Sequence, residues 1–265
     1  MIRKGLLSVS ESKWYWAILD GWTMSKRSLK HIFREAESLV MAIGLPVAIM
    51  IMFVYVFGGA IQTGTDYVNY VVPGVIITCV GFGSSIIAVS VTQDMVGGLF
   101  ERFRSMPLLP SSLMVGHVIG GFVRNVIATT VAILVALLIG FQPDAGWLEW
   151  LGVIGVLTLF MLSISWVFVV FGLLVKSVEA ANALTFPMLF LPYLSSAFVP
   201  TETMPSWLHA FAENQPMTPL IETLRGLLLG TPIGHNHWLM IAWFGGLLIV
   251  SMIIATFLFK RHKGE

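Results

Sequence analysis

Residues 94–124 read DMVGGLFERFRSMPLLPSSLMVGHVIGGFVR, a charged and proline-broken interval between two long apolar runs. Glu101, Arg102 and Arg104 bring three charges into four residues. On a helix turning about 100° per residue, Met95, Val96, Leu99, Phe100, Phe103 and Met106 fall on one side. Asp94, Glu101 and Ser105 fall opposite, with Gly97 and Gly98 nearby and the two arginines at the flanks. Pro107 and Pro110 end such a helix, because proline lacks the amide hydrogen and clashes with the preceding turn. The spacing predicts a short amphipathic helix with an apolar face for a membrane domain and a charged face for something soluble. An ordinary solvated loop is the alternative, and the regularity of the apolar side weighs against it.

The surroundings set the class. The chain is 57% hydrophobic and 11% charged, and an ordinary soluble domain carries about twice that charge. Several runs approach or exceed the roughly 20 apolar residues that cross a bilayer. An all-α polytopic membrane protein follows, organised as one transmembrane domain over 1–265: a leader (1–37), a six-span bundle (38–259) and a tail (260–265). The single cysteine, Cys79, lies within an apolar run, so neither a disulfide framework nor a cysteine metal cluster is expected. The first apolar run begins only near Leu39, so no cleavable signal peptide is expected.

Upstream, residues 1–37 hold seven of the fifteen Lys and Arg residues. From Trp22 onward, Trp22, Leu29, Ile32, Phe33 and Ala36 share a stripe beside Lys26, Arg27, Lys30 and Arg34, which predicts an amphipathic helix in the membrane interface. The first span runs from about Ser38 to Ile61 with Pro46 as a kink. The second, about Tyr70 to Thr92, is rich in Gly and Ser, which lets neighbouring backbones approach closely and places it inside the bundle. A third run from Ser111 to Phe141 is longer than the hydrocarbon layer. Its Gly116 and Gly120 predict packing within the chain rather than a dimer seam.

Downstream, Gln142 to Gly146 form a turn, Leu148 to Val175 the fourth span, and Lys176 to Glu179 a tight hairpin. A fifth span, about Ala180 to Val199, is interrupted by Pro187 and Pro192. A long non-spanning stretch then holds two short helical patterns. Pro205 opens the first; Thr218 is expected to N-cap the second, with Pro219 in its first turn and Gly230 just past its end. The sixth span is about Trp238 to Phe259. Thirteen Lys and Arg residues fall in the leader, the 94–110 loop, Lys176 and the tail, against Arg225 alone in the opposite loops. The positive-inside rule puts both termini and the 94–110 loop in the cytoplasm, and the 200–236 stretch outside.

The chain carries no G-x-x-x-x-G-K-[ST] loop, so ATP chemistry by that route is not expected within it. H-E-x-x-H and G-x-S-x-G are missing as well. His235 and His237 are a loop pair without further ligands and read as solvated, so no metal is expected. Arg124, near the start of the third run, is expected to snorkel to the interface or to form an ion pair. A secondary transporter or channel would be expected to show paired midplane charges or an inverted repeat, and neither is visible. Phe168, Phe171, Phe186, Phe190 and Tyr193 make a candidate lining for an amphipathic or lipid-like cargo. Aromatic stripes of this kind also arise from packing or lipid contact.

Two patches carry a resemblance: YVVPGVI with GGLFERFRSMPLLPSSLMVGHVIGGFVR, and FVPTETMPSWLHAFAENQPMTPLIETLRGLLLG. In this order the chain resembles the membrane subunits of type-2 ABC exporters, nearest to the daunorubicin-resistance permeases. The resemblance implies two permease subunits, alike or related, with two copies of an ATPase subunit that holds ATP and Mg. No cofactor belongs to this chain, and its remaining partner is membrane lipid, with no nucleic acid. The resemblance also implies a multi-pass plasma-membrane location and outward transport. Leu99, Phe100 and Phe103 would anchor the 94–106 helix, while Glu101, Arg102 and Arg104 face the ATPase. Pro205, Trp207 and Arg225 would belong to an external lid.

Overall fold

The computed structural model describes residues 36–61, 63–98 and 111–261. Every regular element among them is helical. Helix α1 (Ala36–Met52) continues into a π-helical turn at Phe53–Phe57. Then follow α2 (Tyr67–Val96), α3 (Ser111–Ile139), α4 (Trp147–Leu174) and α5 (Val178–Phe190). Two short helices, α6 (Ser206–Asn214) and α7 (Met217–Leu229), precede α8 (Asn236–Arg261).

Four of these are long and apolar enough to cross a membrane: α2, residues 113–139 of α3, α4, and residues 236–259 of α8. The two other expected spans are shorter. The apolar part of the first covers Ala42–Phe57. The fifth is helical only as far as Phe190 and then tightens into a 3-10 turn at Leu191–Leu194. Thirteen residues of α-helix rise only about 20 Å, less than the hydrocarbon layer. Pro187 is accommodated inside α5, whereas Pro192 sits in the tighter turn.

Helix α2 is the centre of the bundle, packed against α1, α3, α4, α5 and α7, while α8 lies against α4 and α7. The small residues along these seams explain why. A β-carbon on Gly172 of α4 would come within 2.6 Å of the Ala88 carbonyl, and one on Gly121 of α3 within 2.3 Å of the Ile87 side chain. Gly116 and Gly120 are also buried within the chain. Where backbones come this close, a hydroxyl can reach across: Thr92 donates to the carbonyl of Gly172 at 3.1 Å, besides its own Ala88 carbonyl at 2.9 Å. Ser163 of α4 likewise donates to the carbonyl of Phe244 in α8 at 2.7 Å. The interior position expected of this Gly- and Ser-rich helix is observed. Gly172→Val is expected to lower Tm in detergent, since overpacking against backbone costs about 1–3 kcal/mol. Gly155→Val, where a β-carbon meets nothing within 4 Å, should leave Tm unchanged.

Arg124, expected to snorkel to the interface or to form an ion pair, is buried. It is fourteenth in α3, about 20 Å along the helix from its first residue. It is 7% exposed, and its guanidinium donates to the Gly83 carbonyl at 3.4 Å. Beside it, Asn125 donates to the Ser84 hydroxyl at 2.7 Å. A polar layer therefore crosses the α2–α3 seam.

Candidate functional site

The interval read first divides between described and undescribed residues. Helix α2 ends at Val96, and Gly98 takes the left-handed conformation at φ 68°. Leu99, Phe100, Glu101, Arg102, Phe103 and Arg104, the residues expected to couple to a partner, lie outside the described residues. So does the interfacial leader helix. The two sides of the loop are joined, however. Asp94 on the last turn of α2 meets His117 on the second turn of α3, carboxylate to Nε2, at 2.9 Å. Both side chains are largely shielded. Sequence reading had no means to pair them.

At the other end of the bundle, α6 and α7 form a cap. Pro205 occupies the N-cap of α6, as its position suggested. Trp207 is 74% exposed and Phe211 stands beside it at 46%. In contrast, α7 is buried nearly all round, held among α2, α4 and α8. It begins at Met217 with Pro216 at the N-cap, so Thr218 is not its cap. The Thr218 hydroxyl instead donates back to the Ala212 carbonyl of α6 at 2.5 Å, fixing the angle between the two helices. Gly230 ends α7 in the left-handed conformation (φ 69°), as expected, with its amide donating to the Gly226 carbonyl.

Arg225 is the polar centre of the cap and is only 5% exposed. Its guanidinium pairs with Glu222 one turn back on the same helix. It also donates to the Ser196 carbonyl at 2.7 Å and to the Tyr70 carbonyl at 3.2 Å, and lies 3.9 Å above the Tyr70 ring. One planar cation thus joins α7, the start of α2 and the chain leaving α5. A fork-shaped guanidinium can serve several acceptors and stack at the same time, which an ammonium cannot. Nearby, Tyr67 donates to the Phe198 carbonyl at 2.8 Å, and the Gln215 amide donates to the carbonyls of Leu191 at 3.1 Å and Leu194 at 2.7 Å. Neither Tyr67 nor Gln215 stood out in the sequence. A hydroxyl-bearing aromatic at the head of a span was the available signal.

The five aromatic residues of the candidate path are not equivalent. Phe168 is fully buried and meets Phe171 edge-on, centroids 5.8 Å apart. Phe186 (59% exposed) and Phe190 (48%) look outward from α5 with ring centroids 4.8 Å apart, and Phe190 continues to Tyr193 at 5.9 Å. The row then runs on through rings that sequence reading passed over. Tyr193 stacks on Phe198 at 4.9 Å, and Phe198 meets Phe53 of the π turn at 4.7 Å.

The sequence that builds these elements has counterparts among known proteins. Residues 20–229 match the family model described as ABC-2 type transporter. The chain belongs to that family. Over 252 residues, covering 92% of this chain and 89% of the relative, the permease is 30% identical to the daunorubicin resistance ABC transporter permease protein DrrB1 of Streptomyces coeruleorubidus. It is also 21% identical over 245 residues, 89% of this chain and 87% of the other, to the probable doxorubicin resistance ABC transporter permease protein DrrC of Mycobacterium tuberculosis. The matched region takes in α1 through α7, and with them the loop between α2 and α3 and the whole of the cap. The permease is a multi-pass membrane subunit of an ABC transporter.

Proposed function

We propose that the permease exports an amphipathic, drug-like or lipid-like cargo across the plasma membrane, driven by a separate ATPase subunit. Two permease subunits and two ATPase copies make the working unit, and ATP and Mg belong to the ATPase. The observation that carries this reading is α7, a helix too short to span yet buried nearly all round at one end of the bundle. Short helices at membrane depth are tolerated where protein surrounds them and where they line or close a pathway. In this reading α6 and α7, with Pro205, Trp207 and Arg225, are the lid over the exit. The half-exposed rings of Phe186 and Phe190 face outward from this chain, where a second permease would complete a path with Tyr193. Phe168 and Phe171 are assigned to the same path.

Six crossings follow if α1 with its π turn, and α5 with the chain to Val199, each complete a passage that the α-helix alone does not. The relatives' names speak of daunorubicin and doxorubicin resistance, which supports a cargo of that amphipathic type. Leu99, Phe100, Glu101, Arg102, Phe103 and Arg104 take the docking role on the cytoplasmic side. The Asp94–His117 pair braces the root of that loop.

Orientation is tested with single cysteines and an impermeant thiol reagent on intact cells. Cysteines at Thr203 or His235 are expected to be labelled, and one at Ser105 is not. Labelling at Ser105 overturns the orientation. Transport is tested with inverted vesicles containing permease and ATPase: ATP-dependent accumulation of doxorubicin or of a fluorescent phospholipid is expected. ATP-independent accumulation driven by an ion gradient would instead make the protein a secondary transporter.

A further inference from the structure

Between α5 and α6 the chain runs from Leu191 to Val199 without α-helix, and Ser195, Ser196, Ala197 and Phe198 are all buried. Backbone that leaves the helical pattern at membrane depth must find partners for its carbonyls, because no water is there to supply them. Here three side chains from three different places do so. Gln215, in the turn between α6 and α7, donates to the carbonyls of Leu191 and Leu194. Arg225 of α7 donates to that of Ser196, and Tyr67 at the head of α2 to that of Phe198. The fit is close as well as bonded: a β-carbon on Gly74 would come within 2.6 Å of Ala197.

Helix α5 just before it is held differently. The side-chain hydrogen bonds of its described residues stay inside the element: Ser177 accepts from the amide of Ala180 at its N-terminus, and Thr185 donates to the carbonyl of Asn182. Its Leu184, Phe186 and Phe190 are exposed. Helix α5 thus leans on α2 by packing alone, whereas the backbone that follows it is also hydrogen-bonded from three sides.

We infer that Tyr67 and Gln215, together with Arg225, are positioning residues of the exit gate: they fix 191–199 as a pivot, and α5 is the element that swings on it. The inference rests on α6 and α7 being the lid. Donors that lock a pivot narrow the range of α5 positions without touching cargo. Deleting one of them leaves a buried carbonyl unmet, which shifts a two-state equilibrium by roughly five- to tenfold.

The test uses the complete transporter with its ATPase in lipid nanodiscs, with spin labels on cysteines replacing Leu184 in α5 and Ala210 in α6. The parent is expected to give one narrow separation without nucleotide and a second with ATP and vanadate. Tyr67→Phe removes a single oxygen and keeps the ring; Gln215→Met removes the amide and keeps the length. Either variant is expected to raise the population of the second separation about five- to tenfold without nucleotide, with the ATPase still bound. If both variants reproduce the parent's distributions and merely lower Tm, the three donors stabilise the fold and position nothing, and the inference fails. If the parent's separation ignores nucleotide, the lid reading itself fails and the pivot falls with it. Should Gln215→Met not assemble, Tyr67→Phe alone decides.

Discussion

A permease carrying Glu101→Lys is expected to be purified without its ATPase subunit, whereas the parent retains it. Family membership implies an ABC ATPase as partner, and in the proposed reading the energy enters through it. The 94–110 loop carries Glu101, Arg102 and Arg104 on an otherwise apolar pattern, at the end of the bundle away from the α6–α7 cap. Reversing one charge at such a contact places like against like, which costs several kcal/mol. Since each 1.4 kcal/mol is about tenfold in affinity, the loss is on the order of a thousandfold. Phe103→Ala acts on the other face. Removing the ring proposed to anchor this segment on the membrane domain should leave assembly nearly intact but abolish the stimulation of ATP hydrolysis by cargo. Neither change touches a span, so both variants should reach the membrane at the parent's level. Retained ATPase and parental stimulation in both variants would remove this loop from the coupling role. Failure of the parent to retain an ATPase would sink the exporter reading as a whole.

The class of this fold was open to sequence reading because its causes are local. Apolar runs between prolines and charges define α2, α3, α4 and α8, and the Gly and Ser content of α2 foretold its central place: at Gly74 and Gly83 a β-carbon would come within 2.6 Å of Ala197 and 2.1 Å of Asn125. The cap was also legible in outline, because Pro205 and Gly230 act on the residues next to them. What escaped depends on partners distant in the chain. Thr218 has the right type and neighbour for an N-cap, yet Met217 is already helical and the hydroxyl is taken by Ala212. Arg124 could be placed near the start of α3, but not its acceptor at Gly83, 41 residues away. Arg225 could be assigned to the cap, but not its acceptors, which lie 155 and 29 residues away at Tyr70 and Ser196. The aromatic row illustrates both sides: Phe186, Phe190 and Tyr193 are regularly spaced on one segment, while Phe53 joins them only through the π turn and Phe198.

Arg225→Met is expected to be the most damaging single substitution in the cap. Methionine fills the space of the aliphatic stem and carries no donor. The carbonyls of Ser196 and Tyr70 then lose the same partner at once, and Tyr70 loses the cation on its ring. Glu222 suffers less, because it is 30% exposed and can hydrate. The Ser196 carbonyl is orphaned, which costs about 1–3 kcal/mol, while the Tyr70 carbonyl keeps its helical partner; with the lost stacking the total comes to roughly 2–5 kcal/mol. Arg225→Lys keeps the charge but has no planar fork, so it should restore only a minor part of the loss. The damage should be centred on the cap, because Glu222, Ser196 and Tyr70, the polar partners of Arg225, lie there. A cysteine replacing Ser196 reports it: buried and unreactive toward an impermeant maleimide in the parent background, it should react readily once Arg225 is Met. Equal reactivity in the two backgrounds, with unchanged Tm, would mean that Arg225 does not hold the cap shut.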